Sequence, residues 1–257
     1  MITPPFIRGL RCAIIFLTRV PVGGDGYRDA DWRWSTAWFP AVGALIGTLL
    51  AILWTIGISG LSAWVVAGVI LSVNLLLTGG FHEDGLADTA DALGGGYTVD
   101  RVLTILKDSR VGAFGAMALF CALIIRVALW VDLTDRIIVA LVLSQCLSRV
   151  VPIWLMGALP YVTRTEAAKS RLVTRAGWAQ VTWATFLGIF AVAISLYEGY
   201  LSLTECARVG AAMGAVYVLC HWRFKKRIGG ITGDFLGAAQ QVSECAILMG
   251  LAWGNAA

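Results

Sequence analysis

Apolar segments of 14 to 22 residues recur along the whole 257-residue chain. A bilayer core of ~30 Å is crossed by about 20 mostly apolar residues in a helix. Apolar side chains make up 58% of the residues and charged ones only 14%, where ~25% charged is usual in soluble domains. One soluble core could not bury so much apolar surface, which excludes a disordered chain and an ordinary soluble enzyme. The sequence therefore predicts an all-α, polytopic membrane helical bundle, a single integral membrane domain over 1–257. About seven transmembrane helices are expected, and six or eight would also fit; the candidate spans are 38–58, 61–77, 114–131, 137–158, 179–197, 207–220 and 236–253.

Basic residues are distributed unevenly between the segments that connect these spans. Sixteen of the 20 Lys and Arg residues fall in the N-terminal arm and in three loops. If the chain crosses the membrane seven times, these segments all lie on one side of it, and only Arg136 and Arg208 fall on the other side. Positively charged loops stay in the cytoplasm, so we expect any active site formed by these loops to face the cytoplasm. The net charge of +4 is too small to indicate nucleic acid as a partner. The three loops are 78–113, 159–178 and 222–235.

Loop 78–113 contains three aspartates with helical spacing. Asp84, Asp88 and Asp91 stand at i, i+4 and i+7, within about 60° on one helix face, and Gly94 to Gly96 end that helix. Like charges on one face repel each other, so the stripe indicates a bound cation. Oxygen ligands without His or Cys favour Mg²⁺ first and Mn²⁺ second. The alternative is a solvated acidic face, but the apolar opposite face favours packing on the bundle at the cytoplasmic membrane surface.

Glycines and basic residues flank this acidic helix. Lys107 and Arg110 follow it and could neutralise phosphate oxygens. Carboxylates, a divalent cation, glycine turns and Lys or Arg are together typical of phosphoryl transfer, although no Walker, GxSxG or HExxH motif occurs. His82 precedes the acidic run and is either a helix-entry residue or a group for phosphate contact or proton transfer.

Charged residues within or at the end of the predicted spans form a second group of candidates. Arg126 and Arg149 lie in apolar runs and should face the bundle interior or a cavity. Arg149 is the better candidate for a ligand-binding site, whereas Arg126 could extend its charged end to the membrane surface or pair with an acidic residue. Glu244 in the last span could pair with one of these arginines. Residues 229–234, GGITGD, are typical of a ligand-binding loop with one carboxylate, Asp234.

Several runs of this sequence occur in the order found in one known family. They are FLTRVPV (16–22), WFPAVGALIG (38–47), LLTGGFHEDGLADTADALGGG (76–96), ILKDSRVGAFG (105–115), Arg149, PYVTR (160–164) and GGITGDFLGAAQQ (229–241). Together they resemble the adenosylcobinamide-GDP ribazoletransferase (cobalamin synthase) family over nearly the whole chain. The acidic run is the most specific part. Ala92 replaces the family's usual glycine there, while every carboxylate is retained.

This resemblance implies a multi-pass, Mg²⁺-dependent enzyme of the bacterial inner (cytoplasmic) membrane. Such an enzyme transfers the adenosylcobinamide phosphate moiety from adenosylcobinamide-GDP to α-ribazole or its 5′-phosphate and releases GMP, in the final nucleotide-loop assembly of cobalamin biosynthesis. Carried over to this chain, the resemblance implies Asp84, Asp88 and Asp91 as metal ligands and catalytic residues, with one of them a candidate base. Asp108 is a further catalytic candidate. His82 and Lys107 are added from the patterns above. The predicted substrate contacts are then Arg19, His82, Lys107, Arg110, Arg149, Arg164 and Asp234.

Two other functions are compatible with the residues. A membrane CDP-alcohol-type phosphotransferase would use a similar acidic helix, but the longer glycine-and-aspartate spacing of its motif is missing. A cation transporter would bind its ions near the membrane midplane, whereas the acidic helix is predicted at the surface. The sequence leaves open the oligomeric state, including a homo-oligomer, the number of metal ions and the preferred form of α-ribazole.

Overall fold

The computed structural model describes residues 4–23, 26–162 and 176–254. Within these ranges, every stretch of regular secondary structure is a helix. Short 3₁₀ turns precede the third and eighth α-helices. The predicted all-α class is therefore confirmed. The α-helices are α1 (Pro5–Leu17), α2 (Asp29–Ser35), α3 (Phe39–Gly57), α4 (Ala63–Thr78), α5 (Phe81–Gly95), α6 (Val99–Ile105), α7 (Ala113–Asp132), α8 (Ile137–Leu147), α9 (Val150–Ala158), α10 (Trp178–Tyr197), α11 (Leu203–Ile228) and α12 (Gly233–Ala252).

Six helical segments of the described chain are long and apolar enough to cross a membrane, and a seventh is counted if the bent pair α4 and α5 is taken as one. This confirms the polytopic membrane bundle, and each predicted span coincides with a helix. Two of the predicted spans differ from the observed helices in their bounds. Predicted span 137–158 consists of α8 and α9, which are separated at Ser148 and Arg149, and predicted span 207–220 is the middle of the longer α11.

The chain turns sharply between α4 and α5. Gly79 and Gly80 both have a positive φ, 74° and 67°, which glycine adopts without steric cost, and the two helices meet at 89°. Because α5 turns away from α4, the two helices do not form one straight span. At its other end Arg227 donates hydrogen bonds to the carbonyls of Leu93 and Gly96, which satisfies backbone oxygens at the end of the helix.

Small residues allow the central helices to approach closely. A Cβ atom on Gly47 of α3 would lie 2.5 Å from the Leu141 carbonyl oxygen of α8, and one on Gly43 would lie 2.8 Å from Cδ of Arg149. This is the small-residue spacing, GxxxG, that brings membrane helices together. Helix α5 approaches α12 in the same way, because a Cβ on Gly85 would lie 2.9 Å from the Asp234 carbonyl oxygen.

A buried ionic cluster joins α5, α7 and α12. Arg126 of α7, with 0% of its surface exposed, donates to Glu83 of α5 at 3.0 Å and to Glu244 of α12 at 3.3 Å. Gln145 and Gln241 donate to the same two carboxylates. The predicted pairing of Glu244 with a membrane arginine is therefore confirmed, and its partner is Arg126.

The loops predicted to share one side of the membrane meet at one end of the bundle. The backbone N–H of Arg19 donates to the Leu77 carbonyl at 2.8 Å, and that of Ile231 donates to Pro160 at 2.9 Å. At the opposite end Arg136 pairs with Glu205. The N-terminal arm, the α4–α5 turn and the loops before α12 thus come together around the acidic helix.

Candidate active site

Two neighbouring cavities lie where α5 meets α12, α1 and α3. The smaller, which we call the inner cavity, has a volume of about 280 Å³, and its polar lining comes from His82, Asp84, Arg149, Asp234 and Gln240. The contact between Gly85 and the α12 backbone explains how Asp84 and Asp234 come to line one space. The structure thus brings together four of the predicted site residues: His82, Asp84, Arg149 and Asp234.

The second cavity, which we call the outer cleft, is larger, about 600 Å³, and opens beside the α4–α5 turn. Its polar lining includes Arg19, Thr78 and Asp84. Arg19 lies across Gly79, where a Cβ atom would be 2.5 Å from Nε, so only a glycine leaves room for the guanidinium. Phe16, Phe81 and Asp84 line both cavities and form the wall between them.

The carboxylates of Asp84 and Asp88 have no counter-charge. Neither side chain has a hydrogen bond or an ion pair with another residue in the described part of the chain. Burial, and after it the negative charges of Asp84, Asp234 and Asp91, together raise the pKa of Asp88 to about 6. A site with several uncompensated carboxylates attracts cations.

Asp91 occupies a different environment from the other two aspartates of the stripe. Its Oδ2 accepts a hydrogen bond from Gly112 N at 2.7 Å and its Oδ1 accepts one from Gly115 N at 2.9 Å. Both amides belong to the beginning of α7, where backbone donors lack helical partners. Asp91 therefore fixes the start of α7 against α5. Across the described ranges, no three acidic, His or Cys side chains converge to hold a metal ion by themselves.

Arg149 and His82 are buried groups that face the inner cavity. Arg149 is 2% exposed and donates from Nη1 to the backbone and side-chain oxygens of Gln145, at 2.6 and 2.9 Å. Its Nε is buried and has no hydrogen-bond partner among the described residues. Burial, then the charges of Arg149 and Arg126, lower the pKa of His82 well below its ordinary value, so its imidazole is neutral at pH 7.

Three predicted residues lie in the loop between α6 and α7 and line neither cavity, although the next residue of this loop, Val111, lines the outer cleft. Asp108 and Arg110 form an ion pair at 2.6 Å, and the Arg110 side chain is 86% exposed. Hydrogen bonds from Arg110 lower the pKa of Asp108 to about 2. Lys107 is exposed beside them. Arg164, the remaining candidate, lies outside the described residues.

Sequence reasoning missed the aromatic lining and one buried acid. Phe16, Phe39 and Tyr161 line the inner cavity, although all three stand in runs that resemble the family. Aromatic residues are common in any membrane helix, so no local signal separated these from the rest. Glu83 could have been found, because a buried Arg126 requires a carboxylate partner.

Fold and site together define an integral membrane protein in which the Asp84 carboxylate, unpaired among the described residues, lies in the wall between two ligand-sized cavities, whereas Asp88 lines neither cavity. The sequence model of the CobS family, described as cobalamin-5-phosphate synthase, matches residues 9–252. The chain therefore belongs to this family.

Curated relatives agree with the family assignment over nearly their full length. Proteins named adenosylcobinamide-GDP ribazoletransferase are 37% identical in Leptothrix cholodnii, over 93% of this chain and 92% of the relative, and 38% identical in Ralstonia pickettii, over 96% of each. The relative of that name in Shewanella pealeana is 38% identical over 94% of this chain and 95% of its own. No solved structure matches the chain.

Proposed function

We propose that the protein transfers the adenosylcobinamide phosphate moiety of adenosylcobinamide-GDP to α-ribazole or its 5′-phosphate, with release of GMP. The acceptor hydroxyl forms a bond to the phosphorus next to cobinamide, and the bond from that phosphorus to the bridging oxygen breaks as GMP leaves. The family and the relatives' names support this reaction. The structural observation that carries it is the position of Asp84, a carboxylate without a counter-charge in the wall shared by two cavities.

Mg²⁺ is the cation that the donor set favours. Mg²⁺ is usually held by one or two carboxylates together with substrate phosphates, and does not need a complete cage of protein ligands. Asp84 and Asp88 fit that requirement because they lie one helical turn apart and their oxygens have no other partner in the described part of the chain. The ion would neutralise the diphosphate and the charge that develops on the leaving GMP. We assign Asp91 to the positioning of α7, since its two oxygens already accept backbone amides.

Fixed cations complete the site for a phosphate-bearing substrate. Arg149 lines the inner cavity, and Arg19 lines the outer cleft. Such donors stabilise charge on phosphate oxygens because they are held in place before the substrate arrives. His82, neutral in its buried position, contributes an uncharged hydrogen-bonding group beside Asp84.

We place the protein in the bacterial inner membrane as a multi-pass enzyme whose site faces the cytoplasm. Support comes from the two ends of the bundle. The end that carries the acidic helix also carries most of the Lys and Arg residues, and basic loops remain in the cytoplasm. Soluble substrates such as α-ribazole would then reach the site from the cytoplasm.

A reconstituted assay tests the proposal. The purified protein in detergent or proteoliposomes is incubated with adenosylcobinamide-GDP and α-ribazole, and the corrinoid product and GMP are quantified with and without EDTA. We expect turnover that EDTA abolishes and Mg²⁺ restores. Turnover of CDP-diacylglycerol without any corrinoid turnover would favour the CDP-alcohol phosphotransferase, and metal flux without either reaction would favour a transporter.

A further inference from the structure

The two cavities differ in size, polarity and access, although they share a wall. The inner cavity has less than half the volume of the outer cleft, about 280 Å³ against 600 Å³. A transferase must hold two different substrates so that their reacting atoms meet at one place. Phe16, Phe81 and Asp84 line both cavities, so a ligand in either one contacts the same wall.

We propose that the inner cavity binds the aromatic base of the acceptor nucleoside and that the outer cleft binds the diphosphate of the corrinoid donor, with Asp84 between them. This assignment rests on the proposed function and adds to it which cavity takes which substrate.

Size favours this assignment. Ligand pockets of ~300 Å³ are at the small end of those that proteins use, which suits a single planar base and excludes a corrin macrocycle. The donor is the larger of the two substrates, and its diphosphate requires a site that leaves room for the groups at both of its ends. Only the outer cleft is open enough for that, since it lies beside the α4–α5 turn at the end of the bundle.

The aromatic lining of the inner cavity also suits a planar base. The rings of Phe16 and Phe39 are parallel within 8°, with their centroids 5.6 Å apart, and the ring of Phe81 meets Phe16 edge-on at 79°. All three rings line the inner cavity. Bases stack on aromatic side chains in a way that depends on their π-faces and hardly on their hydrogen-bonding pattern. Pro152, Met156 and Leu236 provide the remaining apolar lining.

The polar groups of each cavity agree with the same assignment of the two substrates to the two cavities. In the inner cavity the buried Arg149 supplies the positive charge of the lining, which suits a ribose or phosphate oxygen attached to the base. In the outer cleft the exposed Arg19 guanidinium lies beside the hydroxyl of Thr78 and the backbone of Gly79. Such a polar, accessible group of donors suits the oxygens of a diphosphate.

Two variants, each expected to raise the KM of a different substrate, test this assignment of substrates to cavities. Phe39→Leu keeps the inner cavity apolar but removes a stacking surface, so the KM for α-ribazole should rise about fivefold or more while the KM for adenosylcobinamide-GDP stays unchanged. Arg19→Gln should raise the KM for adenosylcobinamide-GDP and leave that for α-ribazole unchanged. Phe190→Leu is the matched control, because Phe190 is an exposed residue of α10 far from both cavities, and both constants should stay at the wild-type values.

A third variant decides the question if Phe39→Leu fails to fold in detergent. Met156→Ala enlarges the inner cavity, and we expect the ratio of kcat/KM for an acceptor with a bulkier, tricyclic base to that for α-ribazole to rise several-fold. The assignment of substrates to cavities is overturned if Phe39→Leu raises both KM values alike or raises only that for the donor. It is also overturned if Met156→Ala leaves the selectivity between acceptors unchanged. These outcomes count only when the wild type turns over the substrate pair, since a wild type without turnover contradicts the proposed function itself.

Discussion

Glu83 and Asp84 are adjacent in α5 and both line the outer cleft, but Glu83 is buried and paired with Arg126. Asp84 is exposed, lines the inner cavity as well and has no partner among the described residues. One carboxylate therefore serves to hold the helix in place, and the next is free to bind a ligand. Because successive residues of a helix point about 100° apart, a single helix can present both groups. This division of roles predicts that substitutions at the two kinds of carboxylate will have different consequences.

Asp88→Asn should abolish transfer while the protein remains folded. The amide removes a negative charge that binds cation but breaks no hydrogen bond within the described structure, so we expect kcat to fall by about 100-fold or more with an unchanged Tm. Product formation and thermal unfolding in detergent measure the two effects. Asp132→Asn, at the exposed end of α7, is the control. Near-normal activity of Asp88→Asn would contradict a metal-binding role.

Cation affinity should weaken in mild acid. Burial raises the pKa of Asp88 to about 6, above its ordinary value, so the group is charged at pH 7 and mostly protonated at pH 5. A proton competes with the metal for the same oxygens, so Mn²⁺ titrated in place of Mg²⁺ should bind about tenfold more weakly at pH 5 than at pH 7. Calorimetry measures this change. The Asp88→Asn variant should lose most of this pH dependence, and an affinity that does not change with pH in the wild type would contradict the prediction.

Arg126→Met should destabilise the protein more than any surface substitution. It leaves Glu83 and Glu244 buried without their shared cation, and removal of one partner from a buried pair costs about 3–5 kcal/mol. Unfolding in detergent measures the loss. Arg126→Met combined with Glu83→Gln and Glu244→Gln should recover much of it, because no buried charge is then left unpaired. The exposed Arg101→Met is the control; an Arg126→Met protein as stable as this control would show that the cluster contributes nothing.

Asp91→Ala should lower stability and leave metal binding intact. The substitution removes the acceptor for two amides at the beginning of α7, for an expected cost of about 1–2 kcal/mol. Thermal unfolding and Mn²⁺ titration on the same sample separate this role from that of a ligand. If the affinity for Mn²⁺ falls and Tm does not, Asp91 binds metal as the original pattern predicted.

The fold could be predicted from the sequence to a greater extent than the site. Long apolar runs predict the spanning helices well, and even the short candidate span 207–220 was wrong only in its length, since the helix there is Leu203–Ile228. The i, i+4, i+7 spacing placed the aspartates on one helix face, but it could not show that Asp91 points to α7. That outcome depends on how Gly112 and Gly115 approach α5. In the same way Asp234 reaches Asp84 only because Gly85 allows α12 to come near, a tertiary contact that no local pattern contains.

The pair of glycines between α4 and α5 also restricts where the chain can change in length. One residue inserted between Gly79 and Gly80 would rotate α5 by about 100° about its axis, which would carry Asp84 away from the cavities and Glu83 away from Arg126. The turn before α4 has no such restriction, because a side chain at Gly60 would meet no atom within 4 Å. We therefore expect insertions and deletions to be tolerated at the beginning of this helix and to abolish activity at its end.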